Sequence, residues 1–183
     1  MVFLDCEFTD FIHADLLSLG LVTYADATRE LYIELDLSTA IGKARLEAAS
    51  DFVRYDGVLD LWGLVPSATC SYDEMGRRAG QWLLALAVET KEQVVVAFDY
   101  SLDFELLEYA IRDAGLWDRV REVVSPLNVS ASTDTIDGEL AAEAQYVALR
   151  ERGLSRHHAL ADAHALRAAY RAVRGAEYER AAR

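Results

Sequence analysis

The stretch RELYIELD, residues 29–36, alternates polar and apolar side chains with period two, the pattern of a strand with one wet and one dry face. It follows two shorter apolar runs, VFLDC at 2–6 and LSLGLVTY at 17–24, both rich in β-branched, aromatic or leucine side chains. Three strands this close in sequence pair as consecutive antiparallel neighbours, and Asp26-Ala27-Thr28 supplies a tight turn between the second and third. Helical periodicity follows over 38–50 and 72–89, the latter placing Ala79, Trp82, Leu83 and Leu86 on one side. QVVVAFD at 93–99 has the composition of a buried strand, and the helix after it, about 103–113, stops at Gly115. An extended piece near 120–130 precedes two closing helices, about 134–152 and 155–174, divided at Gly153. This order predicts an α/β fold, a mixed sheet with helices packed on its faces.

Composition narrows the function classes. With 183 residues, 52% of them hydrophobic, and with two prolines and no low-complexity linker, one domain over 1–183 is expected. The longest apolar runs, WLLALAV at 82–88 and VVVAF at 94–98, fall short of the ~20 residues a bilayer-spanning helix needs. The N-terminus lacks the basic and long apolar segments of a secretory signal, so a cytoplasmic protein with no membrane partner is expected. Cys6 and Cys70 stand far apart with no Cys-x-x-Cys pattern, which removes zinc ligation and a disulfide framework. Cys6 is read as filling a strand position, and Trp62, Trp82 and Trp117 as core residues. Thirty-one acids against eighteen basic residues give a net charge of −13. That is the wrong sign for gripping a long duplex through its phosphates. A short nucleic acid can still bind if cations between carboxylates and phosphates supply positive charge locally.

The acids are placed where they can do this. Asp5 and Glu7 lie two apart at the end of the first strand, so both side chains emerge from one face. Asp103 stands at the start of the helix that follows the central strand, with Asp99 before it. Asp162 lies on the last helix among alanines 159, 161, 163 and 165, read as leaving room around its carboxylate for ions and substrate. Four acids from three segments can therefore converge.

The D-x-E of LDCEFTD, the aspartate after FDYSL and the H-x-A-x-x-D of HHALAD resemble, in order and spacing, the three motifs of the DEDDh exonuclease family. Ribonuclease T, oligoribonuclease and the proofreading subunit of the bacterial replicative polymerase are members. The motifs span nearly the whole chain. The resemblance implies a ribonuclease H-like mixed sheet of five strands, the first three antiparallel. It also implies metal-dependent release of nucleoside monophosphates from 3′ ends, by a homodimer. Carried over, it makes Asp5, Glu7, Asp103 and Asp162 ligands of two divalent cations, Mg²⁺ or Mn²⁺, which suit oxygen donors. Two such ions can hold the attacking and leaving oxygens of an in-line displacement at phosphorus. Cation binding would offset the repulsion between Asp5 and Glu7. Without it, at least one acid should titrate upward beside its neighbours' charge.

The family histidine stands five residues before the last aspartate, which selects His157 as general base. His158 stands four before, where the sister DEDDy group has a tyrosine, and is read as a surface residue or one behind the site. Phe8, Thr9 and Phe11 fall where relatives hold the terminal nucleotide. Phe8 is open to both base stacking and core packing, and Phe11, in a loop, is the better stacking candidate. Asp99 replaces a polar residue that touches the nucleotide or a bound water in many members. The expected substrate is short or single-stranded nucleic acid, RNA before DNA. A single-stranded DNA exonuclease, a small phosphodiester hydrolase and a non-catalytic nucleotide- or protein-binding module of the same fold are the alternatives.

Overall fold

The computed structural model describes residues 1–55 and 57–181, with side chains described as far as Arg174. Its first three strands are β1 (Val2–Phe8), β2 (Leu16–Thr23) and β3 (Glu30–Leu35). They pair as antiparallel neighbours, as the alternation predicts. The turn between β2 and β3 closes through the Arg29 N–H on the Asp26 carbonyl at 3.2 Å, and the Asp26 carboxylate accepts the Thr28 N–H at 2.8 Å. The predicted helix 38–50 is α1 (Ala40–Ala48), capped by Thr39, and the short α2 (Asp51–Tyr55) adds a turn after it.

A two-residue strand, β4 (Thr69–Cys70), leads into α3 (Tyr72–Thr90), whose N-terminus carries the Ser-x-x-Glu signal of Ser71 and Glu74. Then come β5 (Val94–Phe98), α4 (Ser101–Asp113), α5 (Trp117–Val120), β6 (Val124–Asn128) and α6 (Ser130–Thr133). The chain closes with α7 (Ile136–Leu149) and α8 (Ala159–Ala181). Gly153, at φ 73°, lets the chain reverse between them. Because the chain reverses through an extended loop, α8 starts at Ala159 rather than at 155.

The sheet has six strands, in the order β4-β3-β2-β1-β5-β6, rather than the expected five. The sixth is β4, parallel to the end of β3. It is too short to show a period, and a fully buried carboxylate holds the segment before it. Glu34 accepts from the Gly63 N–H at 3.0 Å, the Thr69 hydroxyl at 2.6 Å and the Tyr32 hydroxyl at 3.1 Å. At the other edge β6 carries Pro126 and runs parallel to β5, which runs parallel to β1. Among the described residues no helix is long and apolar enough to cross a membrane.

Alternation along β1 sorts the two layers. Val2, Leu4 and Cys6 face the larger core, with Leu83 of α3 and Leu107 of α4. Trp62, Trp82 and Trp117 are half-buried against that core. Phe3 faces the opposite layer with Val22, Ala97 and, from α8, Ala163 and Leu166. On this second face Asp5 pairs with Gly20 of β2, and Gly20 with Tyr32 of β3.

Gly20 sets the height of α8. A Cβ there would stand 2.4 Å from the Ala159 carbonyl oxygen and 2.5 Å from the Leu160 Cα, so the first turn of α8 rests directly on the β2 backbone. Gly20→Ala should therefore destabilise the fold by about 1–3 kcal/mol or more, measured by denaturant unfolding. A neutral substitution would show that α8 is not seated on the sheet there.

Candidate metal centre and cleft

The parallel pair β1 and β5 brings two strand C-termini to the same end of the sheet, where open α/β sheets place their ligand sites. Asp5 and Glu7 reach it from β1, Asp99 from the end of β5 and Asp103 from the first turn of α4. Asp162 arrives from above, on the first turn of α8. Their ligand atoms fall into two groups, each within 4.8 Å: Asp5 with Asp99 and Asp103, and Glu7 with His157 and Asp162. All four predicted acids converge. Asp99 joins them as a fifth, in a carboxylate group rather than apart from it.

Local contacts fix each acid. Asp103 is 2% exposed. The Cys6 thiol sits 3.6 Å from the Asp103 carbonyl oxygen, tying β1 to the start of α4, so Cys6 fills its strand position as expected. Asp162 accepts the Tyr146 hydroxyl on Oδ1 and the His157 backbone N–H on Oδ2, the latter at 2.9 Å. His157 precedes α8 in a left-handed backbone conformation, φ 68°, and its ring meets Phe52 edge-on at 5.0 Å.

The two histidines part here. His158 is 1% exposed and stacks on Tyr32 at 4.2 Å, beneath α8 and away from the acids. It is therefore not a surface residue; it sits behind the site, where its backbone carbonyl accepts the Asp162 N–H at 3.0 Å. The alanines are likewise not room around a carboxylate. Ala159, Ala161 and Ala163 are fully buried where α8 meets the sheet, and Ala165 alone of the four lines the cleft. Small side chains here permit a close helix seat rather than open space around the carboxylate.

Two connected hollows open at the acids. One, about 540 Å³, is walled by Phe8, Phe11, Phe52, Val53 and Tyr100 and floored by Asp5, Glu7, Asp103 and Asp162. The other, about 720 Å³, runs between α6, α7 and α8 past Thr133, Glu139, Tyr146 and Arg156. Phe8 both packs on the core and lines the first hollow, where Phe11, 73% exposed, meets it edge-on at 5.4 Å. Tyr100 completes this aromatic set, 6.4 Å from Phe8 and 6.1 Å from Phe11. Thr9 does not line either hollow. It is 1% exposed, and its hydroxyl accepts the Asp15 N–H at 3.0 Å to close the 9–15 loop that carries Phe11.

Tyr100, Phe52, Tyr146 and Arg156 escaped the sequence reading. The first follows Asp99 directly and could have been noticed as an aromatic at a strand end. The others belong to no motif.

Burial, more than mutual repulsion, governs the electrostatics. It pushes Asp5 well above the usual carboxylate range, with Asp162, Asp103, Glu7 and Asp99 adding to the rise. Burial first, then Asp162 and Asp103, push Glu7 up to about 8. Asp103 is raised to about 8 by burial and Asp99, against bonds from the Cys6 and Tyr100 backbone. Asp162 reaches only about 6, because Tyr146, His157 and Arg156 offset its burial. The expected upward shift is present in all four, with desolvation as its main cause rather than the neighbouring charges.

Arg156 is the one lysine or arginine among the described residues lining the two hollows. A partly buried set of carboxylate oxygens with so little nearby positive charge fits hard divalent cations such as Mg²⁺ or Mn²⁺. The protein-family models scanned include none that matches this chain, and a search of curated proteins also finds no match.

The acids predict a pH dependence. Each holds its proton in the metal-free fold at pH values where the unfolded chain has released it, so stability falls as pH rises toward the folded values. His158, held near 4 by burial, works oppositely below about pH 6.5, the ordinary imidazole value. From about pH 6.5 to 8, toward the values of Glu7 and Asp103, the acids dominate. The melting temperature of metal-free protein should fall over this range, and Mn²⁺ at pH 8 should restore it. A flat profile would remove the electrostatic account.

Proposed function

We propose that the protein is a metal-dependent 3′–5′ exonuclease of the DEDDh type on a ribonuclease H-like fold, acting on short nucleic acid. The observation that carries this reading is the convergence of Asp5, Glu7, Asp103 and Asp162, from three segments of the chain, with His157 beside them in the cleft. When bound, two divalent cations neutralise these carboxylates and stabilise charge building on the phosphoryl oxygens. Asp5 and Asp103, with Asp99, would hold one; Glu7 and Asp162 would hold the other.

The remaining work belongs to side chains of this chain. Burial, with a smaller contribution from Arg156, lowers the His157 pKa below the ordinary imidazole value, which favours the neutral ring. A neutral imidazole at the mouth of the acid cluster can take the proton of the attacking water. Phe8, Phe11 and Tyr100 offer ring faces and edges on which a terminal base can stack without being read. A long strand needs a basic groove to follow its backbone. With Arg156 as the sole lining cation among the described residues, the cleft suits a short oligonucleotide, which we take to be RNA, with a nucleoside monophosphate released at each step. The homodimer implied by the resemblance has a face available on α7, where Ile136, Leu140 and Val147 are exposed along one side.

A 5′-labelled oligoribonucleotide should shorten from its 3′ end with Mn²⁺ and stay intact in EDTA, and a matched DNA ladder tests the sugar preference. Asp5→Asn should lower the rate by orders of magnitude with the fold retained; near-normal turnover would sink the metal assignment. His157→Ala should lower the rate ~10²–10⁴-fold while Mn²⁺ binding persists. His158→Ala should lower the melting temperature through the lost Tyr32 stack but leave the rate per folded molecule nearly unchanged. The opposite pattern in the two histidine variants would overturn the base assignment.

A further inference from the structure

We propose that Tyr146 is a positioning residue for Asp162, setting the orientation in which that carboxylate binds a divalent cation. The inference rests on the reading of Asp162 as a metal ligand. It is carried by a contact between α7 and α8 that no sequence motif contains.

The two oxygens of Asp162 are engaged from opposite sides. The Tyr146 hydroxyl donates to Oδ1 and the His157 backbone N–H to Oδ2. A carboxylate has about four lone-pair sites, so these two bonds fix the plane of the group and leave capacity for a cation. With both donors in place the carboxylate cannot rotate without breaking one of them.

The phenol is itself held. The Arg156 guanidinium lies 4.7 Å over its ring, and Arg156 pairs with Glu143, one turn before Tyr146 on α7. The residue also packs against the buried cluster that includes Leu149, Leu154 and Leu160. Tyr146 is half-buried and lines the larger hollow, so its hydroxyl reaches the acids from the cleft wall. A donor held onto a metal-ligating carboxylate in this way does the work of the outer partners that orient ligands in metal sites, whose loss costs about 10–100-fold in affinity.

The test is Mn²⁺ binding, followed by the electron paramagnetic resonance signal of free Mn²⁺, on the full chain and its Tyr146→Phe and Asp162→Asn variants. Phenylalanine keeps the ring, its packing and the Arg156 contact, and removes only the donor. A metal-free melt shows that each variant is folded. Tyr146→Phe should bind Mn²⁺ about 10–100-fold more weakly than wild type, and the Mn²⁺ concentration for half-maximal activity should rise in step. Wild-type affinity in Tyr146→Phe, with Asp162→Asn impaired, would overturn the role of Tyr146 and leave the metal reading standing. If wild type binds Mn²⁺ no more tightly than Asp162→Asn, the metal reading falls and takes this inference with it.

Discussion

The backbone contact between Gly20 and the first turn of α8 is the constraint on which the site depends. Only a residue without a Cβ lets the Ala159 carbonyl approach β2 so closely. Alanines 159, 161 and 163 continue the same close seat along the helix. The loop before α8 follows from it: His158 is pressed onto Tyr32, His157 turns outward, and Asp162 comes down over Asp5 and Glu7. Larger side chains at this seat would hold α8 farther from the sheet and lift Asp162 away from the strand acids.

That close seat has an electrostatic cost. Carboxylates from β1, the end of β5, α4 and α8 crowd together at one end of the sheet, and desolvation raises every one of them. Elsewhere the fold treats buried acids differently. Glu34 is saturated with donors, and Glu30 is brought down to about 2, because bonds from His164 and Arg152 outweigh its burial. The contrast marks the cleft as the place where negative charge is left for something else to neutralise.

The first three strands, their antiparallel order and the four acids were legible in the sequence, because alternation and strand-end position report directly which face a side chain takes. The 29–36 alternation became β3, and the D-x-E spacing put two acids on one face. Contacts between elements distant in sequence were not legible. Tyr146 reaches Asp162 across the turn between two helices, and no local pattern marks it. The alanines of α8 misled for a related reason. Small residues in a helix can mean open space or close packing, and only the glycine on β2 decides which. Thr9 shows the same limit, since a hydroxyl beside a motif reads identically whether it closes a loop or meets a ligand.

The two edges of the sheet bear on how copies of the chain could meet. One edge is β4, two residues long, and the other is β6, interrupted by Pro126. Short strands and prolines at an edge are poor templates for another strand, because they offer too few backbone donors in register. Neither margin of the sheet therefore offers a long, regular run of unpaired backbone for a further strand. Helix surfaces are the better-suited ground for contact between copies, and such contact would leave the open end of the sheet, with its carboxylates, facing solvent.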